Sequence, residues 1–405
     1  MKVDTMRLVD KYVGIPICII LSLWHSFIRF LGLKKPSSKR KNFLFIELAE
    51  MGSTIISYSA IKKLQSFYPD AKIYFLMFKK NAESAHILNI IPKEQVITIR
   101  DNNIFTILFD ATIRMIELRL KGIDVVFDME LFSRVGSILS YLSGAKERVG
   151  FYNFHSEGLY RGTFQTHKVF YNPYMHMSKN FLSMVYSIKL EQQMPYTKIN
   201  IPDSDINYLK LISKNAAKNK IYHKIKFFYP KLSSKSKIVL INPDASALLP
   251  IRRWPIESYI SLIKKILDNP ESVAVIIGVN SEKPVAQQIK KSIDDDRIID
   301  FTGETTLREL IDTFNISKLL VCNDSGTPNF ASLTDIPMIV FFGPETPVLY
   351  SPVTNNQNIH IMYSNLACSP CVSAFNHRKT PCTDNKCLQA INVDEAYTLA
   401  KKYLN

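Results

Sequence analysis

The chain is short of acidic residues and lacks several features that would identify its class directly. It has 36 Asp and Glu residues against 51 Lys and Arg residues, which gives a formal net charge of +15. The sequence contains no low-complexity tract, no internal repeat beyond a two-fold similarity of plan, and no motif of a nucleic-acid-binding fold. We therefore expect no nucleic-acid partner. Because 46% of the 405 residues are hydrophobic, wholesale disorder is excluded and two globular domains are predicted.

The basic excess is confined to two segments. Residues 1–41 hold nine Lys and Arg residues against two Asp residues, and residues 213–237 hold eight Lys residues and no acid. Confined positive charge is typical of a docking surface, and an anionic membrane surface fits it better than nucleic acid does. For residues 213–237 two interpretations stay open, a membrane contact and a solvated linker face.

An uninterrupted apolar run long enough to cross a membrane is also missing. Residues 14–33 are mostly apolar, but His25 and Arg29 interrupt them, and the unbroken part is shorter than the roughly 20 residues of a spanning helix. Basic residues follow at once, so we predict a helix in the membrane interface, with Trp24 and Phe27 at the lipid boundary. A helix packed on the protein's own surface is the alternative, and a true span is less favoured. No small-residue cleavage site is evident, which argues against a signal peptide.

Short apolar strands alternate with helices along the rest of the chain, which predicts βαβ units and parallel sheets. The pattern begins with a strand at residues 43–49 and resets after the Lys-rich segment with a strand at 237–242. We therefore predict two doubly wound, Rossmann-like α/β domains that face each other across a cleft. The expected organisation is a membrane-associating segment at 1–41, an amino-terminal domain at 42–232 and a carboxyl-terminal domain at 233–405.

The most informative stretch is the turn Asn-Asp-Ser-Gly at residues 323–326, which follows a buried strand and opens a short helix. Ligands bind at the carboxyl ends of strands in a parallel sheet, and free backbone N–H groups at a helix start favour an anion such as phosphate. A second tight turn, at residues 343–347, follows the next buried strand on the same edge. Together the two turns predict a nucleotide pocket.

Four segments of the carboxyl-terminal half carry a resemblance to a known family. They are residues 242–244 with 252–255, residues 278–282, residues 302–307, and residues 323–326 with 342–344. In this order and spacing they resemble the bacterial heptosyltransferases of glycosyltransferase family nine. Residues 49–53 and 128–134 match the family more loosely, and the resemblance covers roughly residues 42–390.

The resemblance implies a GT-B fold and the inverting, metal-independent transfer of a heptose from an ADP-sugar donor to a lipopolysaccharide-type glycolipid acceptor. In such an enzyme the 42–232 domain would bind the acceptor and the 233–405 domain the sugar nucleotide. The implied location is the cytoplasm, at the inner face of the bacterial inner membrane. A family-nine transferase for a different sugar nucleotide and a non-catalytic sugar-nucleotide- or lipid-binding relative are the alternatives.

The donor side needs cations and N–H donors for the charge that develops on the leaving diphosphate. Arg252 is the first candidate, because a guanidinium grips phosphate through two hydrogen bonds. The other residues expected to bind the donor are Asn242, Arg253, Glu282, Gly303, Thr305, Asp324, Ser325, Gly326 and Asn329. Asn329 stands where the family usually has His, which leaves the donor sugar open.

The acceptor hydroxyl needs a general base. The family usually has Asp where this chain has Ser53, and the nearest carboxylate is Glu50, which we expect to serve instead. Asp128 and Glu130 are the alternates. The residues expected to bind the acceptor are Gly52, Ser53, Asp128, Glu130 and Arg134.

Four of the six cysteines lie close together in the sequence, at Cys368, Cys371, Cys382 and Cys387. The first pair has the spacing of half a zinc or iron–sulfur site, but the spacing to the second pair is irregular for a zinc ribbon. A structural zinc is therefore one interpretation, and a metal-free loop typical of the family is the other. No cofactor is expected for catalysis.

Overall fold

The structure is a computed structural model that describes residues 3–32, 40–152, 160–190, 197–245, 249–376 and 378–404. Lys34, Lys35 and Lys39, expected to follow the apolar helix, lie outside the described residues. The chain divides into two units. The first comprises Met1–Asn207 with Ala374–Arg378, and the second comprises Tyr208–Ser373 with Lys379–Asn405. The Lys-rich helix at Asn215–Phe228 thus belongs to the second unit, whereas the sequence predicts an amino-terminal domain that extends to residue 232.

The first unit is built on six parallel strands in the order β3-β2-β1-β4-β5-β6. The strands are β1 (Asn42–Ile46), β2 (Lys72–Phe78), β3 (Val96–Ile99), β4 (Val125–Asp128), β5 (Glu147–Phe151) and β6 (His167–Val169). The central strands are buried along almost their whole length, as in a sheet covered by helices on both faces. Their register sets Phe43 against Ile73 on one side and Val125 on the other.

Eight helices belong to the described part of the first unit. They are α1 (Val3–Tyr12), α2 (Gly14–Phe30), α3 (Met51–Ile56), α4 (Tyr58–Phe67), α5 (Ala82–Leu88), α6 (Ile104–Lys121), α7 (Val135–Leu142) and α8 (Met177–Ser187). Helices α4 and α8 pack together, whereas α6 packs on α7 and α7 packs on α2. Since strand order reverses at β1 and β4, right-handed crossovers place α6 and α7 on the face opposite α3, α4 and α5.

Helix α2 lies on the protein, with one side covered. Its Cys18 is fully buried in a small apolar cluster with Tyr141 and Phe164, and Gly14 lies against the side chain of Arg134. The helical stretch Thr5–Phe30 is also long and apolar enough to cross a membrane by length and composition. One face of α2 therefore packs on the protein's own surface, as in the alternative interpretation of the sequence. Its other face, which includes Trp24 and Phe27, is exposed.

The second unit repeats the plan with six parallel strands in the order β12-β11-β10-β7-β8-β9. The strands are β7 (Lys237–Asn242), β8 (Ser272–Ile276), β9 (Ile298–Asp300), β10 (Leu319–Asn323), β11 (Met338–Phe342) and β12 (Ile359–Tyr363). Its helices are α9 (Asn215–Phe228), α10 (Ile256–Leu267), α11 (Lys283–Ser292), α12 (Leu307–Ile316), α13 (Gly326–Ala331), α14 (Pro347–Tyr350), α15 (Lys386–Gln389) and α16 (Val393–Lys401). Trp254 is fully buried against Phe341, with ring centroids 4.2 Å apart.

Thr306 and Glu309 have the sequence spacing that predicts a capping box, and this capping box begins α12. The Oγ1 of Thr306 accepts from the backbone N–H of Glu309 at 3.2 Å, and a Glu309 carboxylate oxygen accepts from the Thr306 N–H at 3.1 Å. The same carboxylate forms an ion pair with Lys220 of α9 at 2.8 Å. Since α9 packs on α12, part of the Lys-rich segment is an ion-paired helix face within the second unit, which favours the solvated alternative over a membrane contact.

Candidate functional site

In each unit the strand order reverses between two central strands. The expected functional residues gather at the carboxyl ends of these strands. In the second unit β7 and β10 are neighbours although they are far apart in sequence, and in the first unit β1 and β4 are. Crevices at the carboxyl ends of such strands are the usual ligand sites of doubly wound sheets. The loops after these four strands carry most of the residues that the sequence singled out, so each unit is described in turn.

In the second unit Asn323, at the end of β10, holds two neighbouring loops in place. Its side-chain oxygen accepts from the backbone N–H of Trp254, and its side-chain nitrogen donates to the carbonyl of Pro243, both at 2.9 Å. Asn323 is fully buried, so both contacts are shielded from water. The amide therefore fixes the loop after β7 and the Arg-Arg-Trp loop relative to the turn at 323–326.

Arg252 lies beside that turn. One of its terminal nitrogens donates to Asp324 at 3.2 Å, and the other donates to the carbonyl of Ala245 at 3.3 Å. Its Nε is buried and has no hydrogen-bond partner among the described residues. A buried guanidinium N–H without a partner costs free energy, and an anionic ligand would satisfy it.

Three further charged residues, Asp244, Arg253 and Glu282, lie at or near the loop after β7. The Nε of Arg253 donates to Asp244 at 2.6 Å. The carboxylate of Glu282 accepts from the backbone N–H of Val279 at 3.1 Å. Burial and the nearby charge of Asp244 raise the pKa of Glu282 to about 7, while Arg253 acts in the opposite direction. Glu282 is thus partly protonated at neutral pH and suits hydrogen bonding to a neutral hydroxyl.

Glycines allow the backbone to approach these groups closely. Gly303 has a positive φ of 75° and donates its N–H to the carbonyl of Gly278 at 2.8 Å. Gly278 leaves room for the carboxylate of Glu282, because an added Cβ would collide with it. Thr305 follows, half-buried, two residues after Gly303. Loops 278–282 and 302–307 both carry the family resemblance in the sequence. The structure joins them by a hydrogen bond.

The turn itself is open to solvent at its centre. Ser325 accepts from the backbone N–H of Thr327 at 3.3 Å, and a Cβ added at Gly326 would meet no heavy atom within 4 Å. Asn329 donates to the Ser325 carbonyl at 3.3 Å, and its buried Oδ1 has no partner among the described residues. The turn thus leaves space next to Asp324. Asn242, by contrast, donates to the Ile277 carbonyl at 3.0 Å and links β7 to β8.

In the first unit four carboxylates gather after β1 and β4. Glu47 and Glu50 follow β1, and Asp128 and Glu130 lie at the end of β4. Glu130 accepts from the backbone N–H groups of Leu48 at 2.6 Å and of Ala49 at 3.2 Å, which connects the two loops. The cluster therefore forms one site, although its members come from segments far apart in the chain.

Burial and mutual repulsion shift these carboxylates toward the protonated form. Burial, with repulsion from Glu50 and Asp128, raises the pKa of Glu130 to about 7 against hydrogen bonding from Leu48. Burial, followed by repulsion from Glu130 and Glu50, raises the pKa of Glu47 well above its usual value. Burial also raises the pKa of Asp128, although the charge of Arg161 opposes that shift.

Glu50 is the accessible member of the cluster. Its side chain is 27% exposed, whereas Glu47 is 3% and Asp128 is 0% exposed. Glu50 accepts from the hydroxyl of Ser53 at 2.8 Å and forms an ion pair with Arg378, whose guanidinium lies 4.0 Å from the centre of the Phe132 ring. Helix α3 begins just beyond Glu50, with Gly52 and Ser53 in its first turn. Among the four carboxylates, a substrate in solution reaches Glu50 most easily.

Replacing Glu130 by glutamine is expected to change the pH dependence of stability. The pKa of the folded group, about 7, lies above its ordinary 4.5, so the folded protein binds more protons in that window. Stability therefore falls as pH rises through it, by up to about 3 kcal/mol, and Glu130→Gln removes this loss. Urea unfolding should show a more stable variant at pH 8 and little difference at pH 4. Glu94→Gln, at an exposed carboxylate, is the control, and equal curves for all three proteins would contradict the assignment.

Arg134, which the sequence groups with Asp128 and Glu130 as an acceptor-binding residue, pairs with a different acid. Its backbone N–H and one guanidinium nitrogen donate to Asp10 of α1, each at 2.7 Å. Arg161 is the arginine bonded to Asp128 and to the carbonyl of Glu130. Arg134 thus fastens α1 to the domain, because both members of the pair are largely buried.

Gly136 makes room for the cluster from α7. An added Cβ would lie 2.8 Å from the Cβ of Glu130 and would also meet Asp128. Gly136→Ala is therefore expected to destabilise the protein by about 1–3 kcal/mol through overpacking. Chemical denaturation measures this change. Gly326→Ala, with open space around it, serves as the control, and equal stability of the two variants would show that the cluster adjusts freely.

The four clustered cysteines have different environments. Cys368 and Cys382 are exposed, Cys371 is partly buried and Cys387 is buried. Across the part of the chain that the structure describes, no group of three or more His, Cys, Asp or Glu residues has an arrangement that could hold a metal ion. The geometry therefore does not support a zinc site, which stays a prediction.

Sequence reasoning missed Glu47, Arg161 and Arg378. Glu47 had a signal, since an acid directly after an apolar strand is rarely buried without a role. Arg161 lies in an aromatic-rich segment and Arg378 in the Cys-rich loop, and neither has a local pattern that points to a partner. Both could be found only through contacts distant in sequence.

Comparisons with known proteins show the family and the fold. Residues 115–380 match the family described as glycosyltransferase family 9 (heptosyltransferase). A lipooligosaccharide heptosyltransferase 2 of Haemophilus influenzae is 26% identical over 113 residues, which are 27% of this chain and 32% of that protein. The enzyme of that name from Campylobacter jejuni is 24% identical over 186 residues, which are 45% of this chain and 57% of that protein. The matched segments thus span about a third and somewhat over half of these relatives.

The solved structure of the Escherichia coli ADP-heptose lipopolysaccharide heptosyltransferase II resembles this chain at a TM-score of 0.68. It is 17% identical, and the match covers 90% of this chain and 98% of that one. This likeness confirms the predicted fold class, a GT-B fold of two Rossmann-like units. The family match, which covers well over half of the chain, confirms the resemblance seen in the sequence. The chain belongs to glycosyltransferase family 9.

Proposed function

We propose that this protein is an inverting glycosyltransferase that moves a heptose from an ADP-sugar to a lipopolysaccharide core or related surface-glycan acceptor. The observation that carries the proposal is Arg252, held at the strand-order reversal of the second unit with a buried Nε–H that no described residue contacts by a hydrogen bond. The names of the similar proteins supply the sugar and acceptor classes.

On the donor side Arg252 would bind the diphosphate and neutralise the charge that builds on it as the glycosidic bond breaks. Its pairing with Asp324 keeps the guanidinium oriented, and Asp324 remains within reach of sugar hydroxyls. Glu282 would bind the ribose hydroxyls, since its raised pKa makes it a hydrogen-bond donor as well as an acceptor. The backbone N–H groups of Ser325 and Gly326, with Asn329, would complete the contacts, and Gly303 and Thr305 would line the adenine side.

On the acceptor side Glu50 would take the proton from the attacking hydroxyl. Ser53 donates to one carboxylate oxygen of Glu50 and Arg378 pairs with the other, so the carboxylate is held in one orientation. The carboxylates Glu47 and Glu130 are less suited to act as the base, because both are buried and a substrate reaches them poorly. Displacement at the anomeric carbon passes through an oxocarbenium-like state and inverts its configuration.

The amphiphilic acceptor fits a protein that works at a membrane. Helix α2 keeps an exposed apolar face that includes Trp24 and Phe27, and the preceding helix carries the exposed Lys11. We place the protein in the cytoplasm, peripheral to the inner face of the bacterial inner membrane. This location brings the lipid-anchored acceptor to the enzyme without a membrane span.

Two positions at which this chain departs from the family pattern leave alternative functions to test. Ser53 and Asn329 stand where the family usually has Asp and His, so a different donor sugar or a binding-only role would show at these positions. Purified full-length protein should be incubated with ADP-heptose, and separately with UDP- and GDP-sugars, together with a truncated lipopolysaccharide core. Mass spectrometry of the acceptor should show addition of one heptose with ADP-heptose alone. Addition of another sugar would revise the donor, and ADP binding without any product would indicate the non-catalytic relative.

A further inference from the structure

Helix α6 has an apolar stripe that the core does not use. Its inner side packs on the core through Ile107 and Ala111, with Met115 and Leu118 buried. The exposed apolar residues of α6 are Phe105, Leu108, Phe109, Ile113, Ile116 and Leu120. At 100° per residue they form one outward stripe along the whole helix.

The stripe is too extensive to be an ordinary surface feature. Phe105 is 80% and Leu120 is 85% exposed, at opposite ends of the helix. Single exposed apolar residues are common on soluble proteins, whereas a contiguous apolar row marks a binding surface. The helix itself is well defined, because Asn103 caps its start by accepting from the Thr106 N–H at 2.9 Å and Gly122 ends it in a left-handed conformation.

The stripe lies on the same face of the first unit as the amino-terminal helices. Helix α6 packs on α7, and α7 packs on α2, so the three cover one side of the sheet. The exposed apolar residues of α2 are Ile19, Ile20, Leu23, Trp24, Phe27 and Phe30. Two amphipathic helices therefore present apolar residues from one face of one domain.

The charges around the two helices indicate which partner covers their apolar surface. Helix α2 contains no acid and carries the exposed Arg29 in its last turn. On α6 the acids Asp110 and Glu117 are each ion-paired with arginine, and Arg119 is exposed. An isologous contact with a second copy would set this cationic surface against itself. An anionic bilayer offers both hydrocarbon and opposite charge.

We propose that α6 is a second membrane-contacting element, which inserts its outward stripe into the interface of an anionic bilayer together with α2. The inference is independent of the sugar transferred. It assigns the attachment to two helices, so loss of either stripe weakens binding while the fold is retained.

The test compares full-length variants in co-sedimentation with vesicles of phosphatidylcholine, with and without phosphatidylglycerol. The triple variant Phe105→Asn, Phe109→Asn and Leu120→Gln is expected to bind anionic vesicles about tenfold more weakly or worse, because three apolar side chains leave the interface. Phe227→Asn is the matched control, since Phe227 is 83% exposed in the Lys-rich helix α9 of the other unit. Equal binding of the triple variant and the wild type would overturn the proposal.

A second measurement reports directly on α6 and does not depend on a loss of binding. In the variant Trp24→Phe with Phe109→Trp, the new indole should be quenched by brominated lipid in anionic vesicles. The remaining Trp254 is fully buried and gives a constant background. Absence of quenching would overturn the proposal. So would a dimer, seen by sedimentation without lipid, that the triple variant abolishes while vesicle binding stays unchanged.

Discussion

Arg252→Ala is expected to lower kcat/KM for sugar transfer by about 10²–10³-fold, the usual effect of removing one preorganised charge that stabilises a transition state. The guanidinium lies near the carboxyl ends of β7 and β10, and its buried Nε has no partner in the part of the chain that the structure describes, so an anion there gains a strong hydrogen bond. ADP affinity should fall as well, and isothermal calorimetry with ADP separates binding from turnover. The alanine variant also leaves the buried Asp324 without this cation, so its unfolding must be measured in parallel.

Two matched variants test whether the geometry of Arg252 matters or only its charge. Arg252→Lys keeps the charge but lacks the planar fork, and we expect it to recover only part of the lost activity. Arg253→Ala removes a neighbouring arginine whose side chain is 35% exposed and bonded to Asp244, and its effect should stay below about tenfold. If Arg253→Ala were the more damaging change, Arg253 would be the diphosphate cation instead.

Glu50→Gln is expected to reduce kcat for transfer by about 10²–10⁴-fold, because the variant lacks the general base that accepts the proton. ADP binding should stay unchanged, because Glu50 is not among the residues proposed to contact the sugar nucleotide. Glutamine preserves the size of the side chain and can still accept from Ser53. Single-turnover transfer and ADP titration, measured on the same preparation, separate the two quantities. Weakened ADP binding would show that Glu50 acts through the structure rather than through the proton.

Arg378→Gln and Glu130→Gln are the companion variants for the acceptor side. Arg378→Gln removes the cation that pairs with Glu50 and orients its carboxylate, so kcat for transfer should fall. Glu130→Gln leaves Glu50 accessible and should retain most of the activity. A larger loss in Glu130→Gln than in Glu50→Gln would move the role of base to Glu130, whose pKa of about 7 also suits it.

Much of the fold was predictable from local pattern. The continuous apolar runs of the strands, such as Leu319–Asn323 and Met338–Phe342, can be satisfied only where both faces of a sheet are buried. The capping box at Thr306 depends on residues three apart, and the structure confirms it. The Lys-rich helix was harder to place, because its ion pairs with α12 involve residues far away in sequence.

The clustering of the candidate site residues was predictable in the second unit and only in part in the first, whereas their donor and acceptor roles stay predictions. The loops after β7 and β10 meet because strand order reverses between them, and the Asn-Asp-Ser-Gly turn marks one of them in the sequence. On the acceptor side Glu50 was found, but its partner Arg378 comes from the other end of the chain. Arg134 was assigned to the acceptor from its position after Asp128, whereas its charge is committed to Asp10.

By itself, the sequence determined the alternation of strands and helices, the family and the turn at residues 323–326, because each depends on periodicity or on residues within one loop. Only the tertiary structure decided which carboxylates are buried enough to have raised pKa values, which arginine faces which acid, and that α6 turns an apolar stripe outward. Desolvation and ion pairing depend on distances between segments remote in sequence. A helix with apolar residues on two sides has no periodicity that shows which side is covered.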